Sequence, residues 1–172
     1  RQHPIDREAL TAAMRALAHR GPDDHGQFVA AGIGLASTRL AILDLSPRGH
    51  MPMQTPDGRF VISYNGEVYN FRQLRDRLAS SGVACASGTD TEVLLRLFER
   101  HGPGMLPMLN GMFALAIWDT VDRTLFVARD RLGVKPACYV DTGDRLLFAS
   151  EQKALFALGA SAAFDARVVP EL

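Results

Sequence analysis

Three groups in the first half of the chain have the chemistry to bind one amino acid. They are the guanidinium of Arg39, the Asn65-Gly66 pair and the carboxylate of Asp90. A guanidinium can hold a carboxylate with two parallel hydrogen bonds, and a carboxylate can hold an ammonium group. A side-chain amide beside a glycine N–H can stabilise negative charge on a carbonyl oxygen. Together they predict a site that grips an amino acid at both charged ends and polarises its side-chain carbonyl.

Each of these groups also has a purely structural explanation. An Asn-Gly pair after a strand is typical of a tight turn, because both residues tolerate positive φ. Thr89 and Glu92 have the spacing of a capping box, and the helix dipole would favour a charged Asp90 in the first turn. Capping and ligand binding therefore explain Asp90 about equally well on spacing alone, and only the three groups together favour a binding site.

The elements that must position these groups follow from apolar periodicity and turn residues. Helices are predicted over 6–18, 70–81, 89–101 and 150–158, and strands over 27–30, 33–38, 59–64, 83–86, 112–118, 125–128, 138–140 and 146–149. Asn70 is expected to cap the second helix with Gln73, and Ser150 to cap the last one. The run 112–118 is apolar on both faces, which predicts a central strand covered on both sides. This arrangement predicts an α+β fold, a four-layer α/β/β/α sandwich of two antiparallel sheets.

Composition and charge exclude several classes of protein. A chain of 172 residues with 47% hydrophobic content is long enough for one well-filled domain. Lysine plus arginine and aspartate plus glutamate number 19 each, so there is no basic footprint for nucleic acid. No apolar run could span a bilayer, no signal-peptide pattern opens the chain, and the histidines show no metal-ligand spacing. Cys85 and Cys138 lack CxxC spacing and predict two reduced thiols in a cytoplasmic protein.

Short motifs along most of the chain carry a family resemblance. They read, in order, His19-Arg20-Gly21-Pro22-Asp23, Arg39-Leu40-Ala41-Ile42, Asn65-Gly66-Glu67-Val68-Tyr69-Asn70, Thr89-Asp90-Thr91-Glu92, Leu109-Asn110-Gly111-Met112-Phe113-Ala114, Ala128 to Pro136 and Phe148-Ala149-Ser150-Glu151. In this order they resemble the glutaminase domain of glutamine-hydrolysing asparagine synthetase, a class II glutamine amidotransferase and an N-terminal-nucleophile (Ntn) hydrolase. The resemblance runs from about His19 to Leu158, and it implies the Ntn hydrolase fold, which is the same four-layer sandwich.

The resemblance implies a role for each of the three groups. Arg39 would hold the α-carboxylate of L-glutamine, and Asp90 would pair with its α-ammonium group with help from Glu67 or the nearby main chain. The side-chain amide of Asn65 and the backbone N–H of Gly66 would form the oxyanion hole. No metal and no cofactor is expected in this domain. Four further residues would line the pocket: Leu40, Ala41, Ile42 and Leu43.

The resemblance also implies a catalytic group that the chain lacks. In this family the nucleophile is a cysteine at the N-terminus left by removal of the initiator methionine, and its α-amine serves as the base. Cys85 and Cys138 are internal, so the chain as given is expected to be inactive. The sequence reads as a piece of a longer protein, with a glutaminase domain over 1–160 and the start of a linker over 161–172. A C-terminal synthetase domain would follow and would use ATP and Mg²⁺ to form an amide on aspartate.

Two interpretations stay open. One is an asparagine synthetase-like enzyme that hydrolyses glutamine to glutamate and ammonia for its own synthetase domain. The other is a non-catalytic glutaminase-like scaffold module of a related synthetase, such as a β-lactam synthetase-like protein. The joint presence of Arg39, Asn65, Gly66 and Asp90 favours the first. L-Glutamine and the synthetase domain are the expected partners and a homodimer is a further option, whereas neither nucleic acid nor a membrane is expected.

Overall fold

The computed structural model describes residues 4–163. Its helices are α1 (Arg7–Ala16), α2 (Phe71–Ser80), α3 (Asp90–His101) and α4 (Gln152–Ala157). Its strands are β1 (Asp24–Ala30), β2 (Ile33–Arg39), β3 (Met53–Gln54), β4 (Phe60–Val68), β5 (Gly111–Asp119), β6 (Thr124–Arg129), β7 (Cys138–Asp141) and β8 (Leu146–Ala149). Within this range no helix has both the length and the apolar character to cross a membrane. The predicted linker over 161–172 lies outside the described residues from 164 onward.

The strands form three antiparallel sheets arranged in two layers. The central sheet has the order β3-β4-β5-β6, while β1 pairs with β2 and β7 pairs with β8. α2 and α3 pack on one face of the central sheet, and the β1–β2 hairpin packs on the other. α1 and α4 pack together outside β2 and the β7–β8 hairpin. This order of helix, sheet, sheet and helix is the predicted sandwich, and β5 is the predicted central strand.

The helical side of the central sheet holds the larger apolar core. Ile62 of β4 and Ile117 of β5 are fully buried against helix side chains such as Leu94. Leu74 and Leu78, one helical turn apart, present the apolar stripe of α2 to the same core. Burial of each such side chain contributes about 1.5–3 kcal/mol relative to exposure. These contacts fix β4 against α3, which matters for the site described below.

Glu151 connects the start of α4 to the turn that follows α1. Its carboxylate lies 2.8 Å from Arg20, 3.0 Å from Lys153 and 3.2 Å from His19. The hydrogen bond from Arg20, followed by that from Lys153, lowers the pKa of Glu151 to about 2. Glu151 also takes the N-cap position of α4 without making a capping hydrogen bond. The prediction that Ser150 caps this helix is therefore wrong.

Three other local predictions are wrong because contacts distant in sequence outweigh local preference. β4 extends to Val68, so Asn65-Gly66 lies inside a strand paired with β5 and does not end it. Asn70 takes the N-cap position of α2 as predicted but makes no side-chain capping hydrogen bond, since its side-chain amide binds the backbone groups of Met108 and Asn110 before β5, at 2.9 and 3.0 Å. Residues 83–86 form no strand, and the N–H of Ala86 donates to the Glu92 carboxylate at 2.8 Å.

Candidate functional site

β2 and β4 turn one face of each strand toward the other. Side chains alternate along a strand, so Ser37 and Arg39 both point inward from β2, and Ser63 and Asn65 share one face of β4. The hydroxyls of Ser37 and Ser63 lie 2.8 Å apart and link the two strands. Arg39 and Asn65 are the next inward residues on their strands. Alternation alone therefore brings these two predicted site residues to the same end of the interface.

A single cavity of about 1050 Å³ connects all the predicted groups. Its wall includes Arg39, Asn65, Gly66, Glu67 and Asp90. Pockets for small ligands typically enclose about 300–1,000 Å³, so an amino acid fits easily. The guanidinium, the Asn-Gly pair and the carboxylate thus share one space, which is the minimum condition for their acting on one ligand.

Arg39 is the last residue of β2, and its side chain is buried. Its two terminal nitrogens donate to the backbone carbonyls of Ser46, at 3.3 Å, and of Asp44. A guanidinium has five N–H donors, so the remaining donors can hold a ligand carboxylate. Gly49 makes room for this side chain, because a Cβ at that position would overlap the Arg39 guanidinium.

Asp44 ties the loop after β2 to the segment before α3. Its carboxylate accepts hydrogen bonds from the N–H groups of Gly88, at 2.6 Å, and Ser46, at 2.8 Å. The Ser46 hydroxyl, followed by these two N–H groups, lowers the pKa of Asp44 to about 2. The loop that holds the Arg39 guanidinium is in this way connected to the segment that leads to Asp90.

The side-chain amide of Asn65 includes a buried donor without a partner. Its Nδ2 atom is shielded from solvent and makes no hydrogen bond within residues 4–163. Buried polar groups are nearly always hydrogen-bonded, since leaving one unsatisfied costs about 1–3 kcal/mol. An unpaired donor on a residue of the cavity wall is what an oxyanion-binding amide requires.

Gly66 offers a second donor at the open edge of β4. Its partner on β5, Phe113, directs its backbone groups to the side away from β4, where its N–H donates to the Asp130 carboxylate at 3.2 Å and its carbonyl oxygen accepts from the Asp130 N–H at 2.7 Å. Hydrogen-bonding direction alternates along an antiparallel strand, so the Gly66 N–H lies on the outer edge of β4 together with the Val68 N–H. Among the described strands, β3 covers that edge only near the start of β4. No strand partner therefore takes the Gly66 N–H.

Asp90 begins α3 and is buried, with 5% of its surface exposed. The Thr89 hydroxyl accepts the Glu92 N–H at 3.2 Å, so Thr89 caps the helix as predicted. Asp90 reaches β4 instead: its Oδ2 accepts hydrogen bonds from the Tyr64 hydroxyl, at 2.7 Å, and the Val68 N–H, at 3.0 Å. Its second oxygen, Oδ1, accepts no hydrogen bond from the residues described. The Asp90 carboxylate therefore takes no part in capping the helix, and one of its oxygens can receive a ligand.

Glu67 adds a second carboxylate at the same end of the cavity. Burial, and then the charge of Asp90, raises the pKa of Glu67, while Lys135 lowers it. A cation placed beside two neighbouring carboxylates stabilises their charged forms. Glu67 and Asp90 therefore form an acidic end of the cavity, and Arg39 forms a basic end.

The apolar residues after β2 take different positions. Leu40, Ile42 and Leu43 line the cavity while 54%, 63% and 42% of their surfaces stay exposed. Ala41 is not among the described residues of the cavity wall, and its N–H donates to the Asp23 carboxylate at 2.8 Å. Asp23 thereby fixes the backbone of this segment, and its neighbours supply the apolar contacts.

Comparison with protein families identifies the family of this chain. The model of a glutamine amidotransferase domain matches residues 2–172. The chain belongs to this glutamine amidotransferase domain family. The resemblance seen in the motifs is confirmed.

Two relatives of this amidotransferase domain are much longer proteins. The putative asparagine synthetase [glutamine-hydrolyzing] 2 of Methanocaldococcus jannaschii is 38% identical over 172 residues, which cover 90% of this chain and 33% of that protein. Asparagine synthetase [glutamine-hydrolyzing] 1 of Bacillus subtilis is 38% identical over 159 residues, which cover 90% of this chain and 25% of that protein. The amidotransferase domain thus spans a quarter to a third of the length of these relatives.

A solved structure confirms the fold. Glutamine phosphoribosylpyrophosphate amidotransferase from B. subtilis, complexed with ADP and GMP, matches with a TM-score of 0.79 and 22% identity. The match covers 93% of this chain and 43% of the B. subtilis chain. The likeness shows the fold alone and agrees with the predicted Ntn-type α+β sandwich.

Reasoning from the sequence missed three side chains around the site: Tyr64, Asp44 and Lys135. Tyr64 directly precedes Asn65 in a predicted strand, and a buried tyrosine hydroxyl usually needs a hydrogen-bond partner, which is the available signal. No spacing rule connects Asp44 to Gly88, 44 residues further along the chain. Lys135 lines the cavity from the loop after β6.

Proposed function

We propose that this domain hydrolyses L-glutamine to glutamate and ammonia within an asparagine synthetase-like protein. The observation that carries the proposal is the buried, unpaired Nδ2 of Asn65 in a cavity that also contains a guanidinium and a carboxylate. Membership in the glutamine amidotransferase family and the similarity to two asparagine synthetases support the same substrate.

Glutamine would be oriented by its two charged ends. Arg39 would donate its remaining N–H groups to the α-carboxylate, and this charge-assisted pairing is geometrically specific. Asp90 Oδ1 would accept from the α-ammonium group, with Glu67 as a second acceptor. With both charged groups of glutamine held in this way, its side-chain amide would point toward Asn65 and Gly66 on β4. Binding energy far from the reacting carbonyl is in this way used for orientation.

Asn65 and Gly66 would stabilise the oxyanion formed during hydrolysis. Attack by the nucleophile on the side-chain carbonyl places negative charge on its oxygen, and the amine takes a proton and leaves as ammonia when the carbonyl re-forms. Water then cleaves the resulting acyl-enzyme bond, which gives glutamate and returns the free nucleophile. The Asn65 Nδ2 and the Gly66 N–H are donors available for that oxygen. The loss of one such donor typically costs about 2.7–4 kcal/mol of transition-state stabilisation.

We further propose that the nucleophile is an N-terminal cysteine that is not one of these 172 residues. Burial, and then the nearby Glu92, raises the pKa of Cys85, which makes it a poor thiolate. Cys138 lines the cavity but is internal, so it has no α-amine to act as its base. The rest of the longer protein would supply the synthetase domain, which binds ATP and Mg²⁺ and forms an amide on aspartate.

Asn65→Ala in the native protein tests the oxyanion role. We expect kcat for ammonia release to fall by about 10²–10³ with little change in KM, because the donor acts mainly in the transition state. Asn110→Ala, whose side chain is exposed, is the control and should leave kcat unchanged. An unchanged kcat in Asn65→Ala would remove this residue from the oxyanion hole. Absence of glutamine hydrolysis by the wild-type native protein would favour the scaffold interpretation.

The chain as given provides the matching test of the nucleophile. We expect it to bind L-glutamine in calorimetry and to release no ammonia. Ammonia release that disappears in Cys85→Ser or Cys138→Ser would show that an internal thiol is the nucleophile. That result would contradict the proposal of an N-terminal cysteine.

A further inference from the structure

Tyr64 lies between the hydrophobic core and the acidic end of the cavity. Its ring belongs to the core on the helical side of the central sheet, with 7% of the residue exposed. Its hydroxyl donates to Asp90 Oδ2 at 2.7 Å, beside the Val68 N–H at 3.0 Å. Both donors belong to β4, so a single strand holds one oxygen of Asp90 from two sides. The carboxylate therefore has one defined orientation, with Oδ1 as the oxygen left for a ligand.

Gly66 makes this position of Tyr64 possible. Residues two apart in a strand share a face, and a Cβ on Gly66 would lie 2.5 Å from the carbonyl oxygen of Met112 on β5 and 2.8 Å from Cε2 of the Tyr64 ring. Real Cβ atoms do not approach other atoms so closely, so a larger residue at 66 would displace the ring. The glycine that is proposed to supply an oxyanion donor thus also leaves space for the ring that orients Asp90.

The Tyr64 hydroxyl stays a donor under all ordinary conditions. Burial, followed by the charge of Asp90, raises the pKa of Tyr64 far above its usual range. The phenol therefore keeps its proton and cannot exchange roles with the carboxylate. A hydrogen bond from a buried neutral donor to a carboxylate is also stronger than one between two neutral groups.

We propose that Tyr64 is a positioning residue that sets the preference of the site for α-amino acids over analogues lacking the ammonium group. It acts through Asp90 and touches no reacting atom. The inference rests on the proposed glutamine hydrolysis, since it assigns Asp90 to the α-ammonium group of the substrate. Without the hydroxyl, Asp90 keeps only the Val68 N–H, and its carboxylate can rotate away from the ligand.

The test compares L-glutamine with glutaramate, which has the amide and the carboxylate of glutamine but no ammonium group. In the native protein, Tyr64→Phe should raise KM for glutamine about 10-fold, the size of one hydrogen bond to a charged group, and change kcat less than about 2-fold. The inhibition constant of glutaramate should stay unchanged, because this ligand does not use Asp90. Tyr69→Phe is the control, since Tyr69 is 63% exposed and should change neither constant.

A double mutant separates positioning from general damage to the fold. In an Asp90→Asn background, Tyr64→Phe should raise KM no further, because the two residues act as one unit. Equal weakening of glutamine and glutaramate by Tyr64→Phe, or an additive effect in the double mutant, would overturn the positioning role. A wild-type protein that does not bind glutamine would overturn the proposed function itself, which is a different result.

Discussion

The two ends of the candidate site are held in different ways. At the acidic end, Asp90 is fixed by a buried hydroxyl and a strand N–H, and Thr89 caps the helix that carries it. At the basic end, the Arg39 guanidinium is held by two backbone carbonyls of the half-buried residues Asp44 and Ser46 in the loop after β2. A loop held by such hydrogen bonds can shift when a ligand carboxylate takes the remaining guanidinium donors, whereas the contact between β4 and α3 cannot move without unpacking the core. The acidic end is therefore preformed, and the basic end can adjust to the ligand.

The largest expected effects come from removing either charge. Arg39→Ala and Asp90→Asn should each raise KM for glutamine by about 10²-fold or more, because the loss of one partner of a buried ion pair costs about 2–5 kcal/mol. Only Asp90→Asn should also lower the free energy of unfolding markedly, by about 1–3 kcal/mol, because it disturbs hydrogen bonds of buried groups. Kinetics and urea denaturation measure both quantities. Equal losses of stability in the two variants would contradict the distinction between a preformed and an adjustable end.

Gly49→Ala should affect the basic end alone. The added Cβ overlaps the Arg39 guanidinium, which is the far end of a flexible side chain and can move away. The fold should therefore tolerate the change. KM for glutamine should rise about 10-fold, because the displaced guanidinium no longer lines up with the α-carboxylate of the substrate. Gly104→Ala is the matched control, since a Cβ there meets no atom within 4 Å. An unchanged KM in Gly49→Ala would show that Arg39 does not hold the substrate in the observed position.

The contribution of Asp44 to the stability of the protein should depend on pH in the acid range. Its folded-state pKa of about 2 lies below the ordinary value, so its contribution to stability is complete above about pH 4 and is lost as the pH falls toward 2. The stability difference between the wild type and Asp44→Asn should shrink over that range in urea titrations. Ser46→Ala should raise the pKa of Asp44 in an NMR titration, because the Ser46 hydroxyl contributes most to lowering it. An unshifted titration midpoint in Ser46→Ala would contradict this origin.

Thr89→Ala should have the smallest effect on catalysis. Removal of a helix N-cap typically costs about 1 kcal/mol of stability. Asp90 keeps its contacts with Tyr64 and Val68, so KM for glutamine should stay within about 2-fold of the wild type. Ser80→Ala, at the end of α2, is the control for stability. A large rise in KM would mean that the helix cap, and not β4, positions Asp90.

The residues of the candidate site could be selected from the sequence, since residue type and local pattern mark them. Arg39, Asn65 and Asp90 were identifiable as a cation, an amide and an anion that could act together, and the structure places all three on the wall of one cavity. The side chains of β2 alternate between buried and less buried positions, as expected for a strand. The Thr89 cap is recognisable from the three-residue spacing between Thr89 and Glu92. Such features depend on neighbours in the sequence, so they can be recognised before the fold is known.

The connections between these groups could not be predicted. The hydrogen bond from Tyr64 to Asp90 spans 26 residues, and that from Gly88 to Asp44 spans 44. Asn65-Gly66 has the composition of a turn, and only its pairing with β5 keeps it inside a strand. Contacts of this kind depend on packing between distant segments, for which a local pattern carries no signal.

The placement of Tyr64 to Val68 on one strand restricts how this site can vary. Insertion or deletion of a single residue there would turn Asn65 toward the helices and Tyr64 toward the cavity, since faces alternate with a period of two. The loop after β2 has no such period and can change length while Arg39 stays on its strand. Across homologous proteins, we therefore expect gaps in alignments to gather at the basic end and to be missing from β4.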